Sequence, residues 1–194
     1  MGSSSFLNMN EYYKQINGTM FDFEQFYSNV SESLPIGCRV AEIGVADGKS
    51  LLYLAAKLEY KEAIVIGIDS CAYGHDSQRN EIVRNIIKSG LQVDFMQMSS
   101  LDASCKFNDG YFDFVFLDSS HTYEQTKAEI RLWIHKVKDG GILAGHDYDI
   151  VNAEGVVNAV NELIRNENLN LETTSNGCGV WWIQKIQITD AYVR

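Results

Sequence analysis

The chain has 194 residues, 45% of them hydrophobic, which is enough for one domain with a full core. Its formal charge of −10 repels phosphate backbones, so the expected partner is a small molecule rather than nucleic acid. The four cysteines, Cys38, Cys71, Cys105 and Cys178, form no C-x-x-C pair, and no long apolar span or secretory leader is visible, so zinc, disulfides and a membrane helix are not expected and a reducing cytoplasm is.

The first patterned stretch is "FDFEQFYSNV" (21–30), where Phe23, Phe26, Tyr27 and Val30 recur at helical spacing. It reads as an amphipathic helix packed on the domain; the alternative is a lid that closes over substrate. Short apolar runs then alternate with helical periods. "CRVAEIG" (38–44) is a strand, "KSLLYLAAKL" (49–58) a helix and "AIVIGID" (63–69) a second strand rich in β-branched residues. "SQRNEIVRNIIKSG" (77–90) is an amphipathic helix stopped by Gly90, and "QVDFMQM" (92–98) and "FDFVFLD" (112–118) are the third and fourth strands. "TYEQTKAEIRLWIHKV" (122–137) is the next helix, with Thr122 and Gln125 at capping-box spacing, and Trp133 is expected in the core. "GGILAGHD" (140–147) is the fifth strand and "AEGVVNAVNELIRN" (153–166) the last helix. At the end, "NLNLETT" (168–174) and "VWWIQKIQI" (180–188) flank Asn176-Gly177, the signature of a β-hairpin. Trp181 and Trp182 fall on opposite faces of one strand, which places one indole in the core and leaves the other for a homodimer surface.

Strands alternating with helices of this length imply right-handed βαβ crossovers. The expected fold is therefore α/β, a doubly wound, mostly parallel seven-stranded sheet that ends in an antiparallel C-terminal hairpin. The chain reads as one domain over 1–194, with 1–35 as a helical cap or lid and 36–188 as the core.

The loop after the first strand carries Glu42-x-Gly44-x-x-x-Gly48. Gly44 permits a sharp turn, and Gly48 permits close approach of a ligand or tight helix packing. A dinucleotide loop, G-x-G-x-x-G, also needs glycine at position 46, where this chain has Ala46. Glu42 and Asp47 would repel a pyrophosphate but suit a ligand bearing an ammonium and a sulfonium, as S-adenosylmethionine does. Asp69 ends the second strand 21 residues after Gly48, where a carboxylate can accept both ribose hydroxyls. Met98, Ser99 and Ser100 follow the third strand, where an adenine edge would lie.

With these features, residues 36 to 188 resemble a class I S-adenosylmethionine-dependent methyltransferase of Rossmann-like fold. Asp118-x-x-His121-x-Tyr123 followed by Gly140-Gly141 and Gly145-His146-Asp147-Tyr148 resembles, more narrowly, the small metal-dependent O-methyltransferases related to macrolide-sugar methyltransferases and cephalosporin-hydroxylase-like proteins. The departure is Ala46, a mild change from glycine. The resemblance implies a donor-binding set of Glu42, Gly44, Val45, Ala46, Gly48, Ser50, Asp69, Ser70, Ser99, Ser100 and Asp118.

Asp118 ends the fourth strand and His146 and Asp147 the fifth, so on neighbouring strands the three would converge at the carboxyl edge. Two carboxylates close together need a cation or a shared proton. A divalent metal held by Asp118 and Asp147, with His146 as third ligand or supporting partner, meets that need; an imidazole ligand shifts the preference from Mg2+ towards Mn2+. Asp118, His121 and Asp147 are the catalytic candidates. His121 either takes the hydroxyl proton or caps the following helix.

Tyr148 and Asp149 are weaker substrate contacts, and His75 reads as a loop histidine. Tyr123-x-x-x-Lys127 imitates the short-chain dehydrogenase pair but lacks that chemistry's upstream serine and glycine-rich loop, so both read as first-turn helix residues, Tyr123 also near the cleft. The expected activity is methyl transfer to a hydroxyl of a small sugar or natural product. The alternatives are an NAD(P)-dependent oxidoreductase and a non-catalytic nucleoside-binding module.

Overall fold

A computed structural model describes residues 9–16, 22–72, 74–148, 153–167, 169–174 and 179–185. The chain divides into two compact units, Met1–Ser100 and Leu101–Arg194.

In the first unit, strands β1 (Arg39–Ile43), β2 (Ile64–Asp69) and β3 (Asp94–Gln97) are parallel, with β2 in the middle. Val40 opposes Val65 and Ile43 opposes Ile68, so both strands bring their apolar residues into one register. Helices α1 (Glu24–Ser33), α2 (Lys49–Leu58) and α3 (His75–Ser89) belong to this unit. The stripe Phe26, Tyr27 and Val30 on α1 is buried, and the helix packs on α2. Gly90, at φ +70°, ends α3 as expected, while α3 begins two residues earlier than its periodicity suggests, at an exposed His75. Gly67 on β2 is required by packing: a Cβ there would lie 2.4 Å from Leu51 Cδ2 and 3.1 Å from Val45 Cγ2.

The second unit holds a short helix, α4 (Ser100–Ser104, opening on the last residue of the first unit), strand β4 (Phe112–Leu117), helix α5 (Tyr123–Lys136), strand β5 (Val137–Gly145), helix α6 (Glu154–Glu167) and strands β6 (Glu172–Thr173) and β7 (Trp181–Gln184). β4 is buried along its whole length, as a parallel strand covered on both faces must be. Trp133 is fully buried, in an aromatic cluster with Phe107 and Phe112. β5 runs parallel to β4, and β7 pairs antiparallel with both β5 and β6. The C-terminal strands are thus antiparallel as expected, although Asn176 and Gly177 lie outside the described residues. The strand order is β3-β2-β1 within the first unit and β4-β5-β7-β6 within the second.

Two features differ from the expectation. α4 is too short to leave a periodic signal. β5 starts at Val137, three residues before the strand read over 140–147: Val137 pairs with Phe112 of β4, and Gly140 and Gly141 exchange backbone hydrogen bonds with Lys185 at 2.7 and 2.8 Å. Gly140 sits at φ +80°, and a Cβ on Gly141 would lie 2.8 Å from the Asp113 carbonyl, so this irregular start needs both glycines.

Tyr123 and Lys127 tie α5 to α6. The Tyr123 hydroxyl donates to Glu162, and the Lys127 ammonium lies 3.0 Å from the Tyr123 hydroxyl and 2.8 Å from Glu162. This supports their reading as helix residues. Among the described residues no helix is long and apolar enough to cross a membrane.

Candidate functional site

In the first unit, the loop between β1 and α2 turns left-handed at alternate residues: Gly44 at φ +88°, Ala46 at +48° and Gly48 at +85°. Ala46 therefore adopts the conformation that glycine would take freely, at a cost of about 1 kcal/mol. What holds it there is Asp69. Its Oδ2 accepts the Val45 and Ala46 backbone N–H groups at 2.8 and 3.1 Å, and its Oδ1 accepts the Cys71 N–H at 2.7 Å. Successive backbone amides turned to one side form an anion-binding concavity. Here the anion is the chain's own carboxylate. Asn85 of α3 secures the far side of the loop, donating to the Asp47 carbonyl at 2.9 Å.

Beneath the loop, Glu42 is 1% exposed. It accepts the Tyr27 hydroxyl at 2.8 Å and the Ser50 hydroxyl at 2.5 Å. Val45 and Gly48 are buried, Ser50 and Asp69 half-buried, and Ala46 and Ser70 exposed. The Met98 N–H donates to the Asp69 carbonyl at 3.0 Å, which brings half-buried Ser99 and buried Ser100 next to the end of β2. All the expected donor-binding residues of the first unit therefore belong to one stretch of sheet edge and loop. Asp118 belongs to the second unit.

There, Asp118, His121, His146 and Asp147 line one small cleft together with Ser119, Glu129 and Trp181. The His121 Nε2 lies 2.8 Å from Asp147 Oδ2, and the His146 Nδ1 lies 3.3 Å from Asp147 Oδ1 and 3.7 Å from Asp118 Oδ1. His146 is fixed by its backbone, donating to the Leu117 carbonyl at 3.1 Å across the β4–β5 pair. Asp147 has φ +65°, a strained conformation for any residue but glycine and best tolerated by Asp and Asn. The next residue anchors that turn: the Tyr148 N–H donates to the Gly179 carbonyl at 2.7 Å and its hydroxyl meets Asn161 of α6 at 2.9 Å. Tyr148 is thus engaged by structure. Asp149 lies outside the described residues. Burial pushes the Asp147 carboxyl up, but hydrogen bonds and charge from His146 and His121 outweigh it and hold the group below its ordinary value.

Asp118, His121 and Asp147 each offer a ligand atom, and these atoms all lie within 4.8 Å of one another. The sequence offers His146 as third ligand or supporting partner; in the structure buried His146 lies 3.3 Å from Asp147, and His121 completes the group. The loop bearing His121 is set by α6: a Cβ at Gly155 would lie 2.4 Å from the His121 carbonyl and 2.6 Å from the Tyr123 nitrogen. Backbone atoms cannot swing aside as side chains do. Gly155→Ala is therefore expected to cost about 1–3 kcal/mol. Thermal unfolding should show it as a midpoint lowered by roughly 2–10 °C; an unchanged midpoint would mean the loop yields without strain.

Two polar roles went unread in the sequence. Glu129 is 1% exposed within α5 and accepts the Ser119 hydroxyl at 2.6 Å and the Gln125 amide at 3.0 Å, which braces the loop after β4. Its signal was a carboxylate at helical spacing among Thr126, Ile130 and Trp133. Tyr27 likewise stands in an apolar stripe, where a buried phenol needs a polar partner.

Residues 41–148, more than half of the chain, match the family described as methyltransferase domain. No curated protein matches the chain in sequence. Among solved structures, an S-adenosylhomocysteine-bound methyltransferase from Podospora anserina superposes with TM-score 0.72 at 12% identity, covering 92% of this chain and 87% of that one. A SAM-dependent O-methyltransferase from Thermotoga maritima gives 0.67 at 17% identity, covering 92% and 71%. Cofactor-bound Rv0187 from MTB gives 0.68 at 17%, covering 92% and 86%. At these identities the likeness is one of fold. The chain belongs to the methyltransferase-domain family and has the Rossmann-like fold of the class I S-adenosylmethionine-dependent methyltransferases.

Proposed function

We propose that this protein transfers a methyl group from S-adenosylmethionine to a hydroxyl of a small molecule, a sugar or natural product, with a divalent cation in attendance. The observation that carries the reading is the grouping of Asp118, His121 and Asp147, whose ligand atoms lie within 4.8 Å of one another, with Asp147 on a strained turn that Tyr148 anchors. The donor brings a methyl group already activated on a sulfonium, so the protein's work is alignment and charge.

In the first unit, the amides that would meet a pyrophosphate are already bonded to Asp69, and a phosphate placed there would face that carboxylate. This favours a cationic donor over a dinucleotide. The remaining lone-pair capacity of Asp69 is offered to ribose hydroxyls, with Ser99 and Ser100 beside it.

In the second unit, two carboxylate oxygens and one imidazole nitrogen suit a cation with bonds of about 2 Å once the side chains draw in, Mn2+ more than Mg2+. Asp118, His121 and Asp147 would hold it, and when bound it lowers the pKa of a substrate hydroxyl. A second reading rests on the 2.8 Å contact of His121 with Asp147. Asp147 accepting from Nε2–H fixes the tautomer and leaves Nδ1 to take the hydroxyl proton.

One set of measurements separates these possibilities. S-adenosylmethionine or S-adenosylhomocysteine should raise the thermal midpoint and NAD should not; the reverse would make the chain an oxidoreductase. With an acceptor found by screening, excess chelator should abolish transfer and Mn2+ should restore it. Full activity in chelator would leave His121 as the base, and donor binding without turnover on any hydroxyl would point to a binding module. The charge of −10 argues against a nucleic-acid acceptor. The absence of any C-x-x-C pair suits work in a reducing cytoplasm, and half-buried Trp182 suits a homodimer surface.

A further inference from the structure

Trp181 opens β7 and pairs with Gly145, the last residue of β5. It is 0% exposed, and among the described residues its indole Nε1–H meets no acceptor. A buried indole N–H normally finds a partner, because an unanswered donor has given up its hydrogen bond to solvent for nothing. The nitrogen lies over the strand ends: a Cβ on Gly145 would stand 2.7 Å from it and 2.8 Å from the Leu117 carbonyl oxygen. Asp118 and His146 are the next residues along those two strands. Trp181 lines the small cleft with them, and the cleft leaves about 10 Å³ for the centre of a water-sized sphere. That is room for one water and too little for an organic group.

We infer that this cleft binds one buried water, which accepts the Trp181 indole N–H and bonds to the Glu129 carboxyl group, and that Trp181 and Glu129 are thereby positioning residues for the loop carrying Asp118 and His121. An indole N–H only donates, so its partner must accept, and a cation cannot fill the role. A small anion would face the carboxyl groups of Asp118, Glu129 and Asp147. Water meets both conditions. Glu129 is 1% exposed in the same cleft, and its side-chain bonds from Ser119 at 2.6 Å and Gln125 at 3.0 Å both fall on Oε1. Water can donate to Oε2 of a carboxylate or accept from a carboxylic acid there, so the bridge stands in either protonation state. It runs from the indole through water and Glu129 to Ser119, the neighbour of Asp118. That the loop serves a cation rests on the proposed reading above.

Nuclear magnetic resonance of the isotope-labelled full chain tests the water. Of the three indole signals, the one missing in Trp181→Phe belongs to Trp181, and in wild type it should show a rotating-frame cross-peak to water with the sign of direct contact. Ser119→Ala should keep that peak, which separates a bound water from an exchanging hydroxyl; its loss there, or no peak in wild type, overturns the site. Glu129→Met fills similar space without a polar group and should lose the peak, and a peak that persists overturns the bridge. Calorimetric titration with Mn2+ tests the positioning. The Kd should rise about three- to tenfold in Trp181→Phe and in Glu129→Met, with the double variant no worse than the poorer single one, because both changes remove the same water. Additive losses, no loss, or an equal loss of S-adenosylhomocysteine affinity, the mark of general damage, overturn the positioning role. Wild type that shows the peak and binds no Mn2+ overturns the cation reading and leaves the water site standing. Should Glu129→Met not fold, Trp181→Phe decides the positioning by itself, and an unchanged Mn2+ Kd there overturns it.

Discussion

Asp69→Ala is expected to raise the Kd for S-adenosylhomocysteine at least a hundredfold, the largest binding effect of any single change in the first unit. The carboxylate accepts the Val45, Ala46 and Cys71 amides, and charge-assisted bonds of this kind contribute about 1.5–3 kcal/mol each. Alanine removes all three and also releases Ala46, whose φ of +48° it no longer holds. A hundredfold change corresponds to about 2.7 kcal/mol, less than two such bonds, so the expectation is conservative. Asp69→Asn keeps one acceptor oxygen and should fall between alanine and wild type. Calorimetry gives the affinities, and limited proteolysis should find the loop near Ala46 newly cleavable in the alanine variant. Affinity within threefold of wild type would mean that the loop shapes itself without Asp69 and that ribose is bound elsewhere.

The second large effect is expected at Asp147. Asparagine has nearly the same shape and tolerates φ +65° as well as aspartate, so Asp147→Asn should fold. It lacks the charge that His121, His146 and a cation would share. Methyl transfer to an acceptor found by screening should fall by a factor on the order of a hundred or more, with Mn2+ affinity down about tenfold or more and donor affinity unchanged. Unaltered turnover would remove Asp147 from the chemistry. The same variant has a pH signature. The folded-state pKa of Asp147 is depressed, so its contribution to stability is present above the ordinary carboxylate value of about 3.9 and is lost as pH falls through the lower folded value. Wild-type stability should decline through that acid window, and Asp147→Asn should lack this part of the decline.

The clearest agreement between sequence and structure lies in the elements themselves. The helix read over 49–58 is α2, Lys49–Leu58, and the strand read over 63–69 is β2, Ile64–Asp69. Where the two diverge, a longer-range partner overrode the local signal. Val137 read as the last residue of a helix, yet pairing with Phe112 of β4 draws it into β5. Tyr27 read as one more apolar residue on a packed helix, because nothing near it in the chain announces Glu42. His146 reads in the sequence as third ligand or supporting partner; in the fold it lies buried 3.3 Å from Asp147, and His121 joins the group from the loop before α5.

What the sequence determined by itself was the alternation of strands and helices, the glycines of the first loop and the kinds of side chain at each strand's carboxyl end. These depend on backbone preferences and on periodicity, which act over a few neighbouring residues and are written locally. What only the tertiary structure decided was which acid meets which donor: Asp69 with the Val45 and Ala46 amides, Glu42 with Tyr27 and Ser50, and Asp147 with His121 and His146. A hydrogen bond acts over about 3 Å. Tyr27 stands 15 residues from Glu42 and Val45 stands 24 from Asp69, so chain closure across the fold, rather than any local preference, brings each pair within that reach.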